Sequence, residues 1–307
     1  MSRIERYQES INKFIKGKDI FTDNVKNILL KRDHLCGIIF ASLLNHNAKK
    51  TNFKLHGYYI ICAIDILYEL IETIENTKQI EHNIFIELLF SAINLINLNL
   101  ENIKVPQKNE DVLNKILIFV NSYMTNKILE ITKKYEFQSQ KKVQKTDILT
   151  IKYLDKDIMK KYKNLSKIEH NNLIEYVKNT YGNIGDIVFV IGWVIGGGDR
   201  KKELLKNLQT VGDRFGLLYK LCKDFEKIER DINISSNYSL NFIINEGVKE
   251  SFILFMEIKT QLIEECLNLN IYTHTLKEVL DELEKNVDNC LDSVNIDLKS
   301  TYSSFSK

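Results

Sequence analysis

Proline is nearly absent from the sequence, with Pro106 the one example in 307 residues. Proline removes a backbone donor and clashes with the preceding turn, so a chain with so little of it can be helical almost throughout. A charge excess is missing too. Lys plus Arg number 43 against 41 Asp plus Glu, a formal net charge of +2. Nucleic-acid-binding domains carry a marked basic excess, so no nucleic-acid partner is expected. The longest apolar run, Ile187 to Gly198, has 12 residues between Asp186 and Asp199. A spanning helix needs roughly 20, so no transmembrane segment is expected. The opening residues, Met1 to Ser10, contain no apolar stretch of the kind a secretory signal requires. Cys36, Cys62, Cys222, Cys266 and Cys290 stand singly with no C-x-x-C pair. This pattern predicts reduced, packed thiols in a cytoplasmic protein and no zinc site.

A 44% hydrophobic content excludes disorder for the bulk of the chain. The apolar positions recur at three and four residues rather than alternating, which predicts an all-α protein without a strand pair. Segments 24–45, 56–79 and 83–100 read as helices, followed by a break around Pro106. Asn109 is placed to cap a helix running to about Phe137. Gln138 to Lys145 reads as a solvated loop. Helices resume after Asp147 and recur at roughly 200–231, 245–270 and 275–295. The expected organisation is one all-helical domain over 1–299 and a frayed, Ser-rich tail over 300–307.

Eight of the 12 glycines fall between Gly182 and Gly216. Glycine costs about 1 kcal/mol in a helix interior, so this density calls for close helix–helix or helix–ligand approach, or a phosphate loop. The loop reading fails because Gly196 to Lys201 lacks the G-K-[ST] of a P-loop and follows no strand. A glycine-rich helix C-terminus and turn is the better assignment. No H-E-x-x-H, G-x-S-x-G or kinase signature occurs, and the six histidines lack metal-ligand spacing. Between Val211 and Ile232, Phe215, Leu218, Cys222, Phe225 and Ile232 form an apolar stripe. Lys220, Lys223, Asp224 and Lys227 share another face, which taken alone reads as solvent-exposed.

The small-residue helix Ile187 to Gly198, followed by Gly212, Gly216, Tyr219 and Lys220, resembles the trans-isoprenyl (polyprenyl, geranylgeranyl) diphosphate synthases. There a G-x-x-x-G-x-x-[FY]-Q-x-x-D-D-x-x-D helix carries the second Asp-rich motif. In that frame Lys220 stands at the Gln, Lys223 and Asp224 at the Asp pair, and Lys227 at the last Asp. Upstream, Lys31, Arg32 and His34 resemble the family's G-G-K-R-x-R segment, with Leu29 and Leu30 at its glycines. Ala63 to Asn76 resembles the helix entering the first Asp-rich motif, with Glu75, Asn76 and Gln79 at the three Asp positions and Tyr68 at a substrate-holding His or Gln. The Arg pair that should follow is missing. The family's Lys-Thr pair falls on Thr180 and Tyr181, with Lys178 two positions away. The resemblance spans roughly residues 24 to 260. Ser239 to Gly247 and the Asn-, Ile- and Lys-rich composition also resemble divergent family members in large DNA viruses, which implies a host-cytoplasm location.

The resemblance implies an isoprenoid-synthase bundle of about ten or more helices around a central cavity. It also implies Mg²⁺ bridging an allylic diphosphate to two facing Asp-rich motifs. Hard divalent ions need several carboxylate oxygens, and here Glu75 and Asp224 are the acids in those places. Lysines at Asp positions replace attraction with repulsion. A non-catalytic homologue needing no cofactor is therefore expected, acting as a binding or regulatory subunit of a homodimer or heterodimer. Its Lys31, Lys220, Lys223 and Lys227 would either converge on an isoprenyl diphosphate or other anion, or reach to solvent and pair with Glu226 or Glu229. An active Mg²⁺-dependent prenyltransferase using Asp65, Glu72, Glu226 or Glu229 as further ligands stands as the alternative, and an unrelated helical interaction protein as a third reading. Ile84, Leu88, Phe90, Ile93 and Ile96 are the candidate dimer surface.

Overall fold

The structure, a computed structural model, describes residues 1–51, 57–76, 82–103, 110–133, 140–142, 156–234 and 238–292. The expected cap Asn109, the break at Pro106 and the tail 300–307 lie outside them. Helices dominate, as the periodicity predicts. The first six are α1 (Arg3–Lys16), α2 (Asp23–Leu30), α3 (Leu35–Thr51), α4 (Tyr58–Asn76), α5 (His82–Glu101) and α6 (Glu110–Ile131). After α7 (Lys156–Tyr162) the chain forms a helical run from α8 (His170–Val177) through α9 (Asn183–Asp186) to α10 (Gly192–Ile195). π-Helical turns at Lys178–Gly182 and Ile187–Ile191 connect these pieces. The long α11 (Lys202–Ile234), the short α12 (Phe242–Glu246), α13 (Val248–Asn268) and α14 (His274–Asp292) complete the fold. One cluster of buried apolar side chains reaches from Ile11 to Leu291.

Three local expectations need correction. The predicted 24–45 helix is two helices, because the chain turns at Lys31 to His34. His34 takes a φ of 58°, a left-handed conformation that costs a non-glycine residue energy. Its compensation is a 2.6 Å bond from the ring to Asp65, while Asp33 accepts the Leu35 N–H at 3.2 Å. The helix expected to reach Phe137 stops at Ile131, where the Thr132 hydroxyl donates to the carbonyls of Ile128 and Leu129. Within the Gln138 to Lys145 segment, β1 (Gln140–Lys142) pairs antiparallel with β2 (Ser166–Lys167), a ribbon too short to leave an alternating pattern.

The glycine-rich region resolves as close helix crossing. A Cβ on Gly185 would lie 1.9 Å from the Gly212 carbonyl oxygen, and one on Gly216 would lie 2.3 Å from that of Tyr181. The α8–α10 run therefore touches α11 backbone to backbone, with no room for a methyl group between them. This contact fixes the depth at which α11 carries its charged face into the bundle. Farther on, Gly197 takes a φ of 85° as α10 ends.

α5 is long and apolar enough to cross a bilayer by length and composition. It packs Leu88, Ala92, Leu95, Ile96 and Asn99 into the core and leaves Ile86, Phe90 and Ile93 exposed. The sequence marks 83–100 as a helix, but polar residues interrupt its apolar ones, so it does not show as a long unbroken apolar run.

Replacing Gly185 or Gly216 with Ala is expected to cost about 2–3 kcal/mol of unfolding free energy. Gly17→Ala, at the exposed end of α1, should change it by less than about 0.5 kcal/mol. Urea denaturation monitored by circular dichroism reads both, and equally small effects would contradict the crossing.

Candidate functional site

Two rows of charge meet inside the bundle. On α4, Glu69, Glu72 and Glu75 recur every three residues, and on α11, Lys220, Lys223 and Lys227 recur at three and four, so each row occupies one helix face. Lys220 is 3% exposed and Asp224 2%, which corrects the solvent-exposed reading of this face. The Lys220 ammonium lies 2.7 Å from Asp224 Oδ1 and 3.4 Å from Glu75 Oε1. Asp224 Oδ2 accepts the Phe242 N–H at 2.8 Å, and Glu75 Oε2 accepts the Tyr181 hydroxyl at 2.8 Å. Glu75 and Asp224, the two acids left at the motif positions, thus share one ammonium.

The turn between α2 and α3 adds a second layer. Asp33 receives Lys223 at 2.9 Å and the Tyr219 hydroxyl at 3.2 Å, and Lys223 also pairs with Glu226 at 2.9 Å. Arg32 bonds Glu69 at 2.5 Å and Glu72 at 3.1 Å, while Lys227 contacts Glu72. The Arg32 guanidinium lies 4.6 Å from the centre of the Tyr68 ring, which meets Tyr181 and Tyr219 edge-on at 5.5 and 5.0 Å. The left-handed turn at His34 is what presents Arg32 and Asp33 to these partners.

Burial opposes the charges of Lys220 and Lys223, but Asp224 and Glu75 outweigh it for the first, and Asp33 and Glu226 for the second. Both lysines are held above their ordinary pKa. Burial likewise pushes the Asp224 carboxyl up to about 7 against the pull of Lys220. Asp33 moves the other way: burial alone would raise its pKa, and Lys223 brings it below the usual carboxylate range. Lys227 departs from this pattern: burial, with Arg230 and Arg32 close by, lowers its pKa to about 7.

Of the residues marked in the sequence, the structure brings together Arg32, Tyr68, Glu75, Lys220, Lys223, Asp224 and Lys227. Lys31 is exposed at the end of α2 and does not join them. His34 is fully buried, with its ring between Asp65 and Asn12. Asn76 ends α4, and Gln79 lies outside the described residues. Lys223 takes the Glu226 partner foreseen for it, whereas Lys220 and Lys227 turn inward. Asp33, Glu69 and Asn241 were missed, and Glu72 and Tyr181 were singled out only for other roles, as a substitute metal ligand and as an occupant of the Lys-Thr pair. Asn241 caps α12 and donates to the Asp224 carbonyl at 2.9 Å. The three-residue spacing of Glu69, Glu72 and Glu75 was the available signal for the acidic row.

No family model and no curated protein matches the chain. Among solved structures, it resembles the geranyltransferase of Helicobacter pylori complexed with magnesium and isoprenyl diphosphate, at 13% identity and a TM-score of 0.58, over 93% of this chain and 96% of that one. A FPP/GFPP synthase of Zymomonas mobilis aligns at 8% identity and a TM-score of 0.53, over 93% and 98%. A putative farnesyl-diphosphate synthase of Marinomonas sp. MED121 aligns at 10% identity and a TM-score of 0.52, over 92% and 94%. The chain has the all-α fold of the isoprenyl diphosphate synthases.

Lys220→Met leaves Glu75 and Asp224 buried without their shared cation, at an expected cost of about 3–5 kcal/mol near pH 8. Protonation can then neutralise the Asp224 carboxyl in the folded state. Its raised folded pKa makes the folded protein bind more protons than the unfolded chain, so the deficit should shrink as the pH falls toward 5. A pH-independent loss in denaturation curves would contradict the shared-ammonium geometry.

Proposed function

We propose that this protein is a non-catalytic member of the isoprenoid-synthase fold, with the family's metal and diphosphate site closed by its own lysines, acting as a binding or regulatory subunit. The carrying observation is the Lys220 ammonium between Glu75 and Asp224. Mg²⁺ demands near-octahedral oxygen donors and is held through carboxylates. The donors present do not fit it. Both Asp224 oxygens are engaged, one by Lys220 and one by the Phe242 N–H, and Glu75 Oε2 is engaged by Tyr181. Among the described residues no group of three or more His, Cys, Asp or Glu side chains is arranged to hold a metal ion. A diphosphate would gain the lysines only by displacing the carboxylates already on them, and would then face those carboxylates as repelling charges.

The reading of an active prenyltransferase with substitute ligands has less support. Asp65 is held by His34, Glu72 by Arg32 and Lys227, and Glu226 by Lys223. The fold similarity argues against an unrelated helical interaction protein.

The subunit role needs a surface. Of the apolar residues foreseen on α5, Leu88 and Ile96 face the core, while Phe90 is 64% exposed and Ile93 37%. With Ile86 they form a stripe at i, i+4 and i+7 on one helix face. An exposed stripe of this kind on a folded domain marks a contact surface, and a second copy of the chain is the proposed occupant.

Incubating purified protein with Mg²⁺, isopentenyl diphosphate and farnesyl diphosphate is expected to give no longer prenyl diphosphate. Multiple-turnover product formation would overturn the proposal. By light scattering after size exclusion, the chain is expected at twice its own mass and the Ile86→Glu/Phe90→Glu variant at its single mass. A monomeric starting protein would remove the homodimer.

A further inference from the structure

We draw no further inference here: the strongest candidate, the buried side-chain cluster in which Lys127 of α6 bonds Asn183 and Asp186 on the α8–α10 run, is already closed by those bonds, and apart from the raised pKa of Asp186 nothing among the described residues points to a ligand or a movement there.

Discussion

The Lys220 ammonium, shared by Glu75 and Asp224, is the contact on which the interior of this protein depends. It joins α4 to α11 where the two helices present charge to each other. A lone buried carboxylate or ammonium costs several kcal/mol, and an isolated buried pair often does no better than an apolar replacement. Here several further polar atoms are also served, Asp224 by the Phe242 N–H, Glu75 Oε2 by the Tyr181 hydroxyl, and the neighbouring lysines by Asp33, Glu72 and Glu226, while the buried Tyr68 hydroxyl has no hydrogen-bond partner among the described residues. Removing one member of such a network exposes the others to the full desolvation penalty, so its value lies in fixing one arrangement.

The fold is that of a geranyltransferase complexed with magnesium and isoprenyl diphosphate, and in this chain the facing carboxylates of α4 and α11 are joined by a cation fixed to the chain itself. A lysine needs no ion from solution and cannot leave, but it brings one charge where Mg²⁺ brings two and offers no open coordination position. The proposed consequence is a bundle kept stable at the cost of its chemistry. The glycine contacts of Gly185 and Gly216 belong to the same design, because they set α11 close enough for its lysines to reach the α4 carboxylates.

The helical class was legible from a single proline and from apolar spacing, and the glycines between Gly182 and Gly216, assigned to a helix C-terminus and turn with close approach as one reading of their density, include the crossing contacts of Gly185 and Gly216. The break at Lys31 to His34 was not, because it contains neither glycine nor proline. It is held by His34 bonding Asp65 and by Asp33 bonding Leu35, partners whose roles appear only in three dimensions. The charge cluster was half legible. The family frame singled out Lys223, Asp224 and Lys227 as occupants of Asp positions and Lys220 of the Gln before them, but helical periodicity alone placed them toward solvent. Their neutralising partners, Glu69, Glu72 and Asp33, sit on other elements, and no local pattern says that a Glu on α4 faces a Lys on α11.

The most direct measurement is a crystal structure grown in millimolar Mg²⁺ and pyrophosphate. The expected result is Lys220 Nζ in contact with both Glu75 and Asp224, with no metal between the two carboxylates. Octahedral magnesium joining Glu75, Asp224 and a pyrophosphate, with Lys220 displaced, would contradict it.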